Sequence, residues 1–426
     1  MYGQRVKIGF LVGDIAHISG GSNVIIEHAA GLTERGHEVV LIPATPPPAL
    51  SAWHPKLRAL TVKPLDDCRG ETFDFLFATW WLTWFDLHQL DARVYGYFNQ
   101  SYESRFHPER HYKLQNRATY SLPIFFVTEA RWLEAFISRL QPLARVAYVP
   151  NGLSRDYFPI RKAPGVRKGP LKVIVEGPWG VPFKGVKEAF DLLHLAAKET
   201  PLEVGWLTSY AGGQTPSIGG RPVKIWERIG IDEVAAVLRA HDVMLKFSTV
   251  EGMYGPPLEM FSQGGTAITT PVSGCDEYVV HGHNALLAPS TDATAAVRYL
   301  RQLHENPTFL ATLRRNALAT AKAWPDWKNS TGQFAAALEA ASKAKYTNAH
   351  LRPALAGVSA MRTHWLDDVW RHEAAVKTMP HLGDGEWLLM QRYRELKASA
   401  PVTTLKRYAP PSVRGALRDY ARKILE

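Results

Sequence analysis

Two carboxylates eight residues apart, Glu251 and Glu259, stand in the stretch FSTVEGMYGPPLEMFSQGGTAITTPVSGCDEYV at 247–279. An apolar strand run ends before Glu251, a Gly/Pro loop follows, and Glu259 falls on the helix that the loop opens. Both can then face one crevice, Glu251 at the deep end and Glu259 where it can accept hydrogen bonds from vicinal hydroxyls such as those of a ribose. The backbone N–H groups between them sit at a helix N-terminus, where a diphosphate is favoured. A leaving diphosphate also needs a cation. Lys184 follows the loop GPWGVPF at the start of a helix, on the matching strand end. Each has a plainer alternative: a first-turn helix glutamate for Glu259, a solvated loop residue for Glu251 and a surface lysine for Lys184. Gly20 and Gly21 lie between the first strand and first helix, either opening backbone N–H groups to an anion or simply making a tight turn. Their spacing is not G-x-G-x-x-G and no acidic residue closes the second strand, which disfavours a dinucleotide.

These residues need a frame that gathers strand ends. KIGFLVGDI at 7–15 has strand length, and HISGGSN at 17–23 is a turn cluster. IIEHAAGLTERGHE then reads as a helix with Ile26, Ala29, Ala30 and Leu32 on one side, and VVLIPA at 39–44 as a second buried strand. Further apolar runs follow at 73–79, 93–98 and 122–128. The Pro- and Lys/Arg-rich RDYFPIRKAPGVRKGP reads as an interdomain linker. Beyond it the alternation restarts with LKVIVEG, a helix over 184–198, LEVGWLT, VKIWER, a helix over 232–240, DVMLKFS, a helix from about 256, and TAITTP. Strands alternating with helices predict an α/β chain of two doubly wound halves, 1–160 and 161–345, with a ligand beyond the strands' carboxyl ends. A helical appendage is expected over 346–426.

The chain has 426 residues, 46% hydrophobic and 21% charged, so it can bury large cores and is not disordered in bulk. Two cysteines, Cys68 and Cys275, exclude a disulfide scaffold and a multi-Cys metal centre and suit a reducing compartment. The opening MYGQRVKIGF enters a strand pattern directly, and no apolar run reaches the length of a spanning helix. The expectation is a cytoplasmic protein, or one peripheral on the inner face of the plasma membrane. The net charge of +10 favours anionic partners. Nucleic acid is not among those expected, because the basic residues are not interleaved with aromatics in any recognised module.

The Gly20–Gly21 pair, VPNG at 149–152, the Gly-rich loop leading to Lys184–Gly185, and EGMYGPPLE together resemble the retaining family 4 glycosyltransferases over about residues 5–340. The resemblance implies the GT-B fold, two Rossmann-like domains facing a crevice: an acceptor half and a nucleotide-sugar donor half. Within that family, QSYESRFHP at 100–108, ATYSLP and PPLEM are similar to rhamnosyltransferases of bacterial rhamnan and cell-surface glycan synthesis. Residue by residue, Glu251 is implied to contact the donor sugar, Lys184 the diphosphate and Glu259 the ribose. Gly252, Tyr254, Gly255 and Arg228 join them on the donor side, and Gly20, Gly21, Gln100 and Glu103 line the acceptor side. No metal and no cofactor beyond the nucleotide sugar are implied; the acceptor is a glycan or a lipid-linked glycan. Two departures stand out. Trp179 occupies the place of an Arg five residues before the Lys, so that Arg228, Lys246 or a residue of the other half must replace that cation. The family's His near the reacting sugar is absent, and Asn99, Gln100 and Glu103 occupy that neighbourhood.

Those departures sustain a second reading, a non-catalytic glycan-assembly subunit that keeps the fold. An epimerase or phosphorylase is a further rival, although no lysine is singled out for pyridoxal phosphate. Trp80, Trp81 and Trp84 either stack on sugar or pack at a core edge. His281 and His283 lack partners at metal-ligand spacing and read as structural or solvent-facing. In 401–426, Val413, Leu417, Tyr420 and Ile424 follow at helical spacing, with Arg414, Arg418 and Arg422 on another side. That pattern predicts an amphipathic basic helix lying on an anionic membrane, packed on the first half, or bound to a partner enzyme.

Overall fold

The structure, a computed structural model, describes residues 5–377 apart from 14, 17–18, 45–53, 108, 163–164, 167, 290–291 and 293, with side chains as far as 366. The chain divides into two compact units, Met1–Ala360 and Met361–Glu426. All that follows belongs to the first unit, save the end of the last helix.

Seven strands form the first sheet: β1 (Lys7–Val12), β2 (Glu38–Pro43), β3 (Thr61–Val62), β4 (Thr72–Ala78), β5 (Asp91–Asn99), β6 (Phe125–Thr128) and β7 (Arg145–Tyr148). Their helices are α1 (Gly20–Glu34), α2 (Trp81–Trp84), α3 (Arg110–Ala118) and α4 (Arg131–Leu140). The strand order is β3-β2-β1-β4-β5-β6-β7, and every pairing is parallel. Parallel strands are covered on both faces, which is why KIGFLV and TFDFLFA read as near-continuous apolar runs. One face buries Phe10, Phe77 and Phe98, and the other Trp81, Trp84 and Tyr95.

The second sheet contains β8 (Leu171–Glu176), β9 (Leu202–Thr208), β12 (Lys224–Glu227), β13 (Val243–Lys246), β14 (Thr266–Thr269) and β15 (Leu286–Leu287). A small hairpin, β10 (Ser217–Ile218) and β11 (Arg221–Pro222), stands apart from it. Its order is β12-β9-β8-β13-β14-β15, again parallel throughout. Helices α5 (Val186–Ala196), α6 (Ile231–Arg239), α7 (Gly255–Ser262), α8 (Ala295–Glu305) and α9 (Pro307–Ala323) cover it. In both sheets the order reverses once, between β1 and β4 and between β8 and β13. Ligands of open α/β sheets bind at such switch points, outside the carboxyl ends.

The chain crosses between the halves twice, and the two passes lie side by side. Leu153 N donates to Pro325 O at 2.9 Å, and Trp324 Nε1 donates to Asn151 O at 2.8 Å. A Cβ on Gly152 would stand 2.4 Å from Trp327 N, so the VPNG glycine is the residue that lets the passes touch. After the return, α10 (Trp327–Lys343) packs on α1 and adds Phe334 and Leu338 to the first core. The segment read from sequence as the end of the second half, to 345, thus includes a helix that covers the first sheet. The last described helix, α11 (Arg352–Lys377), buries Leu355 against the first half's second face. The basic tail over 401–426 lies outside the described residues.

One element begins earlier than its sequence suggests. Gly20 and Gly21 form the first turn of α1 instead of a preceding loop, because Ser19 caps the helix, its Oγ accepting from Ser22 N at 3.0 Å. First-turn N–H groups have no intrahelical partner, so the anion-facing backbone expected of this pair is retained in a different conformation.

Candidate active site

Glu176 and Lys246 end the two strands at the second sheet's switch point. The parallel register sets Leu245 beside Val175, and so places Lys246 next to Glu176. Lys246 is buried, its side chain 1% exposed, and its Nζ donates to Glu176 Oε2 and lies 3.8 Å from Glu251 Oε1. Burial would strip the lysine of its proton, but Glu176 and Glu251 overcome it and raise its pKa.

Lys184 arrives from the neighbouring loop. Gly185 after it is left-handed, with φ 63°, and a Cβ there would meet Phe247 O at 2.2 Å, so only glycine lets the turn lie on the β13 end. Lys184 Nζ donates to both oxygens of Glu251, at 2.9 and 3.0 Å. Burial works against ionisation of Glu251, but Lys246 and Lys184 prevail and hold its carboxyl below the usual range. The sequence treated Lys184 and Glu251 as two separate ligand contacts, whereas the structure joins them in one ion pair beside a second lysine.

Glu259 sits one turn into α7, on the crevice wall. Burial and the nearby Glu176, opposed by Lys246, push its carboxyl up to about 8. Such a group, neutral near pH 7, both donates and accepts, which suits a pair of vicinal hydroxyls. Gly252 and Gly255 line the same crevice, which encloses about 840 Å³. Arg228 lines it too, in a left-handed conformation at φ 54° with its Nε donating to Ser209 O at 3.0 Å. A non-glycine residue held there is uncommon and collects at functional sites. Of the proposed replacements for the missing Arg, Arg228 and Lys246 both border the crevice; Trp179, which stands in that Arg's place, packs on Trp206 against the second core.

Tyr254 is a correction. It is fully buried and absent from the crevice wall; its hydroxyl donates to Lys246 O at 3.2 Å and also meets Thr269 Oγ1. Its ring braces the end of β13 from behind, so its part in the loop is structural.

The first half supplies the opposite wall. Gly21 leaves room for Gln100, whose Nε2 donates to Gly21 O at 3.3 Å, and both lie with Gly20 on the crevice. Glu103 also borders it, but its Oε2 accepts from Trp81 N and Tyr97 Oη, both at 2.9 Å, and burial pushes its carboxyl up to about 7. It fixes α2 at the crevice rim more than it presents a free carboxylate. Of the tryptophans, Trp81 and Trp84 are core, whereas Trp80 is 38% exposed and lines the crevice. Asn99 is buried, donating through Nδ2 to Tyr120 Oη at 2.9 Å. His281 Nδ1 accepts from Leu287 N, as a structural histidine would, and no cluster of metal-ligating side chains occurs among the described residues.

Two carboxylates among the described crevice residues escaped the sequence reading: Glu176, and Glu129 just beyond β6. Their signal was present, an acidic residue closing an apolar run at the carboxyl end of a parallel strand, where ligand groups gather.

Comparison with known proteins bears on the family pattern and the fold. Residues 193–306 match the family described as "Glycosyl transferases group 1". Over 257 residues, 60% of this chain, the sequence is 27% identical to the O-antigen biosynthesis protein RfbC of Myxococcus xanthus, although the chain spans only a fifth of that relative's length. Among solved structures, Anabaena Alr3699/HepE in complex with UDP-glucose superposes with a TM-score of 0.64 at 16% identity, covering 79% of this chain and all of that one. Sucrose-phosphate synthase from Thermosynechococcus elongatus gives 0.63 at 15% identity, covering 80% and 100%. The chain has the GT-B fold, and its residues 193–306 carry the pattern of the group 1 glycosyltransferases.

Proposed function

We propose that this protein is a retaining glycosyltransferase that moves a sugar from a nucleotide-diphosphate donor to a glycan or lipid-linked acceptor in cell-surface polysaccharide synthesis. The observation that carries the reading is the Lys184–Glu251–Lys246 cluster at the second sheet's switch point, with Glu259 and the α7 N-terminus beside it. A diphosphate entering there competes with Glu251 for Lys184 and meets backbone N–H groups at the start of α7. As the anomeric bond breaks, Lys184 and that helix end stabilise the charge growing on the leaving group, so the step is electrostatic. Glu251, still beside Lys246, faces the oxocarbenium-like sugar, and Glu259 holds the ribose. The acceptor hydroxyl attacks from the face the diphosphate leaves, and the diphosphate takes its proton. The crevice walls keep water from the activated sugar.

The test is a panel of nucleotide sugars, read by thermal shift and by release of nucleoside diphosphate from purified protein. Stabilisation by a nucleoside diphosphate and turnover of its sugar, dTDP-rhamnose among those assayed, are expected. Stabilisation without turnover of any donor, with acceptor glycans supplied, would favour the binding subunit, the reading that Trp179's place against the core keeps in view.

The membrane part of the proposal rests on the tail pattern at 401–426. Among the described residues no helix is long and apolar enough to cross a membrane. Full-length protein is expected to sediment with anionic liposomes at low salt and to be released at high salt. A chain ending near residue 400 should stay in the supernatant. Equal binding by both, or by neither, removes the tail from the account.

A further inference from the structure

Glu129 reaches across the crevice from the first half to the loop that carries Glu251. It follows β6, is 5% exposed, and its Oε1 accepts from Met253 N at 2.9 Å while its Oε2 accepts from Asn151 Nδ2 at 2.7 Å. Other first-half groups grip the same loop. Trp132 Nε1 donates to Gly252 O at 3.0 Å, and Arg105 donates to Thr249 O at 3.4 Å and to Ser273 Oγ at 2.9 Å. Ser273 Oγ in turn donates to Glu251 O at 3.0 Å. The contact is as close as backbones allow: a Cβ on Gly252 would fall 1.7 Å from Gln100 O and 2.7 Å from Glu129 Oε1. Gly252 is therefore required where the halves meet, one residue from Glu251.

We propose that Glu129 is a positioning residue that sets the Glu251 loop from the opposite half, so that the reactive arrangement around Glu251 is complete only while the two halves are closed on each other. The proposal rests on the transferase reading for its catalytic consequence but not for the contact itself. If the halves part, Met253 N loses its acceptor and Gly252 its backbone neighbour, and Glu251 is left to its lysines alone.

The protonation state matters to this contact. Burial pushes the Glu129 carboxyl up to about 8, against the bonds from Met253 and Asn151, and the charged groups that face it, Glu277 and Glu251, are both acidic and add to the shift. At neutral pH the group is an uncharged acid close to Glu251; above about 8 it becomes a buried anion beside two others. Glutamine imitates the neutral form. Its Oε1 can take Met253 N, and its Nε2 can donate to Asn151 if that amide turns over, which breaks no other bond because Asn151 Oδ1 is buried without a partner.

The experiment uses the full chain and the variants Glu129→Ala and Glu129→Gln, with two readouts. Hydrogen exchange of the 249–255 loop needs no substrate. There, Glu129→Ala is expected to exchange about tenfold faster than wild type and Glu129→Gln to match it. Nucleoside-diphosphate release from the donor chosen by the panel should show kcat down roughly 10–100-fold in Glu129→Ala, the effect of misplacing a reacting group, with donor KM within about threefold. Glu129→Gln should recover kcat. A loop in Glu129→Ala that exchanges like wild type, or a glutamine variant as impaired as the alanine variant, would each overturn the assignment. Should wild type turn over no donor at all, the transferase reading fails, and the exchange arm still decides whether Glu129 holds the loop.

Discussion

Glu251→Ala is expected to bind a nucleoside diphosphate at least as tightly as wild type while losing turnover by roughly 10²–10³-fold, the scale of removing one preorganised charged group from a reacting centre. The two effects separate because of what Glu251 touches. Its carboxylate engages Lys184 with both oxygens and lies 3.8 Å from Lys246. Removing it frees one lysine and relieves the second of half its neutralising partners, leaving Glu176. The ground state for a dianionic ligand improves, whereas in the proposed mechanism the positive sugar of the transition state loses the anion assigned to it. Calorimetric titration with nucleoside diphosphates alongside donor turnover measures both. A variant that turns over normally, or one that loses diphosphate affinity in step with turnover, would show that Glu251 acts otherwise.

How much of this could be read from sequence depends on how far apart the partners lie along the chain. β8 and β13 were legible because strands buried on both faces are apolar runs with Gly, Asp or Pro at their ends. Glu251, Glu259 and Lys184 were legible for the same reason: each stands just past such a run, in a Gly/Pro loop or on the helix after it. The joining of Lys246 to Glu176 was not, since it follows from β13 lying beside β8, a neighbour relation created by the switch in strand order. Glu129 meets Met253 from 124 residues away, through the meeting of two domains, and no local pattern encodes that. Tyr254 failed for a smaller reason. A motif gives a residue's place along a loop, not the side to which the loop turns it, and here it turns inward beneath β13. The same ambiguity left Trp80, Trp81 and Trp84 undivided until the four-residue α2 sent only the first of them to the crevice.

Lys184→Ala should do more harm to diphosphate binding than one lost contact explains. A charge-assisted hydrogen bond is worth about 1.5–3 kcal/mol, roughly 10- to 150-fold in Kd. The variant also leaves Glu251 in the crevice with one lysine fewer to neutralise it, so an arriving diphosphate meets an anion that Lys184 formerly engaged. Two penalties then fall on a single substitution, and they can be separated. In the double variant Lys184→Ala/Glu251→Ala the second penalty is absent, so diphosphate affinity should recover part of the way toward wild type. The coupling expected for two groups in direct contact is about 0.5–3 kcal/mol. The size of that recovery, set against the gain from Glu251→Ala in wild type, carries the argument. Gains of equal size in the two backgrounds would mean that Glu251 and the diphosphate never compete for the lysine, and the leaving-group role would pass to Lys246 and Arg228, which also border the crevice.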